Sequence, residues 1–150
     1  MPNGVQLDEV DRALVTELQR DAAQSYATLG RAVGLSAGAV HERVRKLRER
    51  GVIGATTVEV DPVALDRPVL AYVMVGADAW MGESGGAFAG IPEIMEAHVI
   101  AGEASVLVKV RTATTEQLQD VLRRIYGIEG VASTQAIVVL ETFFERPVCP

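Results

Sequence analysis

The chain has 150 residues, 49% of them apolar and 23% charged, which leaves room for one mid-sized domain or two small ones and excludes both three domains and wholesale disorder. Fourteen Lys and Arg stand against twenty Asp and Glu, a net charge of -6, which argues against a general polyanion-coating protein. No run approaches the roughly 18 apolar residues of a membrane span. The opening Met1-Pro2-Asn3-Gly4 lacks a leader pattern, and the single Cys149, an unpaired thiol in an expected loose tail, allows no intramolecular disulfide or multi-cysteine metal cage. A cytoplasmic protein with no membrane partner is expected.

Residues 7–50 contain no Pro and read as three helices. The first, over Asp8–Arg20, has Asp8 as its cap, acids Glu9 and Asp11 in its opening turn, and an apolar stripe at Val10, Leu14 and Leu18. A second starts after Ser25 and runs through Tyr26, Leu29 and Val33, a core stripe, to Gly34. Ser36 caps a third, with Leu35 and Val40 as a hydrophobic staple and Val40, Val44 and Leu47 on its inner face; it ends at Gly51. Between Arg31 and Arg50 lie six bases and two acids, a basic island in an acidic chain. Two helices joined through Gly34-Leu35-Ser36, the second with a basic outer face, have the pattern of a helix-turn-helix.

The β-branched run Val52–Val60 predicts a strand leaving this module, and Asp61-Pro62 closes it. The second half predicts a strand over Val69–Gly76, a Gly-interrupted helix over Trp80–Phe88, strands over Glu93–Ile100 and Ser105–Arg111, an amphipathic helix over Thr115–Tyr126, and a strand over Val131–Leu140. The order βαββαβ is that of a ferredoxin-like split βαβ. The expected fold class is thus α+β: a helix-turn-helix, winged-helix-like domain at 1–52, a linker strand at 53–67, a βαββαβ domain at 68–142 and a tail at 143–150. The last strand carries apolar residues on both faces (Ala136, Val138 and Leu140; Ile137 and Val139), which predicts dimerisation through the sheet.

This arrangement resembles the Lrp/AsnC family of bacterial and archaeal transcription regulators across nearly the whole chain. Leu7-Asp8-Glu9-Val10-Asp11-Arg12 is similar to the family's opening L-D-x-x-D-R, and Gly34-Leu35-Ser36, Arg43-Val44, Leu47 and Gly51-Val52-Ile53 to its G-L-S, R-V, L and G-V-I positions. Val131–Leu140 resembles the final strand, with Ala136 replacing its second Thr. Two further departures are Ala23, where many members have Arg, and Ser105, where the family's G-x-x-D turn has Asp.

Turning Val40, Val44 and Leu47 inward leaves Gly38, Ala39, Glu42, Arg45, Lys46 and Glu49 outward, with His41 and Arg43 at the flanks. Ser36, Ala37, Gly38 and Ala39 form a small-residue helix start that offers backbone N–H groups to phosphate, and Glu42, Arg45 and Lys46 are the candidate base readers. Glu42 reads equally as an ion pair with Lys46 and Arg43 as a pair with Asp11 or Asp8, while His41, at the edge of the face, reads more readily as a solvated residue. The resemblance implies an amino-acid pocket at the turn Ala101, Gly102, Glu103, Ala104 and Ser105, with Thr134, Gln135 and Ala136 opposite and Glu103 toward the ligand ammonium. It also implies dimers assembling into tetramers or octamers. No nucleophile–base pair, phosphate loop or metal cluster occurs, so no enzyme, cofactor or metal is expected, and His98 reads as structural or pocket-lining. Double-stranded DNA, an amino-acid effector and further copies of the chain are the expected partners; an architectural DNA-binding protein without an effector is the alternative.

Overall fold

The computed structural model describes residues 6–150, which divide into two compact units: one runs to Val58 and includes Phe144–Pro150, the other is Glu59–Phe143. In the first, α1 (Glu9–Arg20), α2 (Tyr26–Val33) and α3 (Ala37–Glu49) start at Asp8, Ser25 and Ser36, each of which accepts a backbone N–H of its own first turn. Gly34 ends α2 in the left-handed region at φ 74°, as a residue without a Cβ can. Leu14, Leu29, Val40 and Val44 form the centre of this unit's core, with Val10, Leu18, Tyr26, Val33, Leu35 and Ile53 around them. The three helices stand without a strand among the described residues, and so without a wing.

The second unit is a four-stranded antiparallel sheet in the order β2-β3-β1-β4. Its strands are β1 (Val69–Ala77), β2 (Ile94–Val99), β3 (Val106–Thr112) and β4 (Val131–Val138), joined by α4 (Gly85–Ala89) and α5 (Thr115–Tyr126). The period-two alternation of β1 and β3 sends Ala71, Val73, Val75, Val106, Val108 and Val110 under the helices, against Phe88 of α4 and Leu118, Val121 and Ile125 of α5. The register puts Tyr72, Met74, Leu107 and Ile137 on the other face, with Lys109 beside them. No helix among the described residues of this unit covers that face.

Three expectations need correction. Residues 53–67 form no strand: Val52 and Ile53 turn back to hydrogen-bond the Leu47 carbonyl, and the four strands pair among themselves, which leaves the β-branched run no ladder to join. The helix expected over Trp80–Phe88 shrinks to Gly85–Ala89, because Gly82, Gly85 and Gly86 disfavour a longer one and Ser84 makes no side-chain capping bond. The tail is exposed along its length, and its Val148 carbonyl accepts a 2.7 Å bond from Gln19 Nε2 of α1. β4 also stops two residues early, at Val138. No helix among the described residues is long and apolar enough to cross a membrane.

Candidate functional site

The outer face of α3 follows from its inner one. Val40, Val44 and Leu47 are buried, so Gly38, Glu42, Arg45, Lys46 and Glu49 emerge on the opposite side, while Ala39 is half-buried. These side chains interact with one another. Arg45 donates to both oxygens of Glu42, from Nη2 at 2.7 Å and from Nε at 3.0 Å, and its Nη1 also donates to Glu49. Lys46 Nζ lies 3.6 Å from Glu42. The ion pair of Glu42 with Lys46, one of the two readings the sequence allowed, is present, and Arg45, one position nearer, binds the same carboxylate more closely because a guanidinium matches both oxygens at once. Arg31 reaches the Thr28 hydroxyl and Arg48 the Thr56 hydroxyl. His41 sets its ring edge-on to Tyr26, 5.5 Å between centroids. Ser36 accepts from the Ala39 N–H at 3.2 Å, with Ala37 and Gly38 exposed beside it.

The Glu42 carboxyl is held down to about 2 from an ordinary 4.5, chiefly by its hydrogen bonds from Arg45, with the charges of Arg45 and Lys46 adding to them. A carboxylate of depressed pKa stabilises the folded state fully above its unfolded value and loses that contribution as pH falls toward its folded value. Acid titration of the unfolding midpoint should therefore show a decline between about pH 4.5 and 2 that is shallower in Glu42→Gln; superimposable curves would mean that the pair has no weight in solution.

Arg43 lies elsewhere. Its Nη1 donates at 2.7 Å to Asp8 Oδ2 and at 2.7 Å to Asp11 Oδ1, and Arg50 stands 3.8 Å from the other Asp11 oxygen. The Arg43 bond is the first cause holding the Asp8 carboxyl below its ordinary value, and Asp8 and Asp11 in turn raise Arg43. Asp11 is one of two buried polar residues among the described residues, so it requires this partner. The cluster ties the start of α1 to the middle of α3, and Arg43 thereby fixes the angle of α3 instead of pointing from its outer face.

In the second unit a recess of about 230 Å³ opens between the segment Ala79–Met81 and the β2–β3 turn. Val99, Ile100, Ala101, Gly102, Ala104 and Ser105 line one side, and Trp80, 78% exposed, stands on the other. Four of the five turn residues singled out by sequence are thus together. Glu103 is not in the lining, nor are Thr134, Gln135 and Ala136. The topology explains this: Ser105 donates its N–H to the Val75 carbonyl of β1, and Thr134 pairs with Val75 from the far side. β1 therefore separates the turn from β4 by two strand spacings, about 10 Å. Alternation puts Gln135 on the open face opposite Met74, while Thr134 and Ala136 share the helix-side face. His98 is also on the open face, beside Glu96, whose carboxyl it helps to hold low. Sequence reasoning missed Ala79, Trp80 and Met81, placing the last two in a helix over Trp80–Phe88; a lone Trp among glycines was the available signal.

Comparison with known proteins matches the chain in two parts, with residues 144–149 falling in the second. Residues 7–48 match the family model of the AsnC-type helix-turn-helix domain, and residues 70–149 that of the Lrp/AsnC ligand binding domain. The chain is 37% identical over 147 residues to the HTH-type transcriptional regulator FL11 of Pyrococcus horikoshii, covering 97% of each. It is 32% identical over 143 residues to the leucine-responsive regulatory protein of Salmonella typhimurium, covering 92% of this chain and 87% of that one. Among solved structures, AsnC of E. coli superposes with a TM-score of 0.89 at 28% identity, over 97% of this chain and 100% of the other.

Proposed function

Since the chain belongs to the Lrp/AsnC family of transcriptional regulators, we propose that it is a sequence-specific DNA-binding regulator whose assembly and operator affinity respond to an amino acid. The observation that carries this reading is a capped third helix whose outer face presents Glu42, Arg45 and Lys46, in a chain whose other unit has a small recess at a Gly turn. In this reading α3 enters the major groove, with the backbone N–H groups of Ala37, Gly38 and Ala39 toward a phosphate. Arg45 meets guanine O6 and N7, and Glu42 the N4 amine of cytosine; each good contact contributes about 1 to 3 kcal/mol of discrimination.

The leucine-responsive relative supports an amino acid as the effector class. The recess, lined by Ala101, Gly102, Ala104 and Ser105 opposite Trp80, is the proposed seat for it. Two copies pair through the open sheet face around Tyr72, Met74, Leu107 and Ile137, and further association into tetramers or octamers brings β4 of one copy, with Thr134, Gln135 and Ala136, to the turn of another. An effector that favours one assembly state changes the spacing of the DNA-binding units. No charged side chain lines the recess, which favours a second reading: a DNA-organising protein without an effector.

The test is a titration of a duplex from the protein's own upstream region against the chain at fixed salt, with each of the common amino acids, recording complex mass. A shift with one amino acid supports the regulator. Tight binding that is indifferent to all of them supports the architectural reading.

A further inference from the structure

We propose that Glu42 is a specificity gate: it occupies Arg45 and Lys46 so that the outer face of α3 gains little from phosphates and binds firmly only where a G·C pair replaces the internal contacts. This rests on the reading of α3 as the DNA-contacting helix and adds a role for its acids.

The geometry is specific. Arg45 spends two donors on the two Glu42 oxygens and a third on Glu49, and Lys46 faces Glu42 as well. Four adjacent side chains, Glu42, Arg45, Lys46 and Glu49, therefore carry as many acids as bases and are closed on themselves. Glu42 stays ionised throughout the physiological range, since its carboxyl is held at about 2. Non-specific affinity for DNA comes from neutralising phosphates with Lys and Arg. A face whose cations are already paired, and whose carboxylates approach a polyanion, supplies almost none of it. The bases left for phosphates, Arg31 and Arg48, bond only hydroxyls among the described residues and lie outside this cluster.

A G·C pair presents two neighbouring acceptors, O6 and N7 of guanine, next to a donor, N4–H of cytosine, on its major-groove edge. Arg45 can exchange its two Glu42 bonds for the two guanine acceptors while Glu42 takes the amine, so no charge is left unpaired. An A·T pair sets its one amine donor, adenine N6–H, between the separated acceptors N7 and O4, so Arg45 drawn away from Glu42 finds no bidentate partner and its charge stays incompletely paired. Rejection by an unpaired charge, and not attraction alone, sets the preference.

Wild-type chain and Glu42→Gln are each used to select duplexes from a random pool of about 30 base pairs, enough for two half-sites. Affinities for the selected duplex and a shuffled one are then measured across a salt series. The gate predicts that Glu42→Gln tightens binding to the shuffled duplex, lowers the selected-to-shuffled ratio about tenfold, relaxes one G·C position, and steepens the shuffled-duplex salt slope by about 1 for each freed cation. In an Arg45→Gln background the same substitution should change the ratio far less. An unchanged ratio and slope with normal wild-type selectivity, or weaker shuffled-duplex binding by Glu42→Gln, overturns the gate. If wild-type chain selects no sequence and binds neither duplex, the reading of α3 as the DNA-contacting helix fails, and the gate with it.

Discussion

A Gly30→Ala chain is expected to lose duplex binding by at least tenfold and to melt its helical unit well below the wild type. Gly30 sits in α2 where the turn into α3 folds back over it. A Cβ there would fall well inside van der Waals contact with the Leu35 carbonyl oxygen and 3.3 Å from its carbon. The obstacle is backbone, so no rotamer change relieves it. The same two residues share a 2.8 Å bond from the Leu35 N–H to the Gly30 carbonyl, which forcing them apart would break. Two effects compete: Ala improves helix propensity by about 1 kcal/mol, while overpacking a closed site costs about 1 to 3 kcal/mol and displaces whatever yields. With contact this short the second effect wins, and what yields is the turn that aims α3. A net loss near 2 kcal/mol corresponds to about 8 to 16 °C in the melting temperature of a unit this size. Calorimetry resolving two transitions, paired with duplex binding, checks it; an unchanged or higher first transition would falsify the prediction.

Phe88→Ala is expected to be the most damaging single truncation in the other unit, at about 3 to 5 kcal/mol. α4 has five residues, two of them glycine, so it has almost no stability of its own. Phe88 is its one buried side chain and packs in the same cluster as Met81, which also lines the recess. Removing the ring opens a cavity beneath α4 and frees the Ala79–Met81 wall. Chemical denaturation should show the loss in the sheet unit alone, and any amino-acid response should vanish before the wild-type unfolding midpoint is reached. A destabilisation under 1 kcal/mol would show that α4 is held by something other than this anchor.

Helices α1, α2, α3 and α5 were legible almost to the residue, since each begins at a Ser, Thr or Asp whose side chain caps it and each carries one apolar face. The strands were legible because Val-rich alternation in β1 and β3 has only one way to bury itself. What misled was propensity without a partner: Val52–Val60 reads as a strand from composition, yet a strand needs a neighbour, and sequence-local reasoning cannot count available edges. The site divides in the same manner. The outer face of α3 followed from helical geometry, and the Arg43 cluster with Asp8 and Asp11 was one of two readings the residues allowed. The choice between Arg45 and Lys46 for Glu42 depended on rotamers, which spacing does not set. Grouping Thr134 and Ala136 with the turn needed the knowledge that β1 intervenes, a fact of strand order invisible in either segment.

The order β2-β3-β1-β4 has a consequence for how the chain matures during synthesis. β1 leaves the ribosome first among the strands but sits inside the sheet, and one of its two neighbours is the last strand to be made. The helical unit closes through contacts near in sequence and can form early, whereas β1 waits with an open edge through the making of β2, β3 and α5. During that interval Leu70-Ala71-Tyr72-Val73-Met74-Val75 is an apolar, uncharged segment with a free backbone. The nascent chain is thus most prone to wrong pairing just before β4 arrives, and the speed with which Val131–Val138 docks sets how long that exposure lasts.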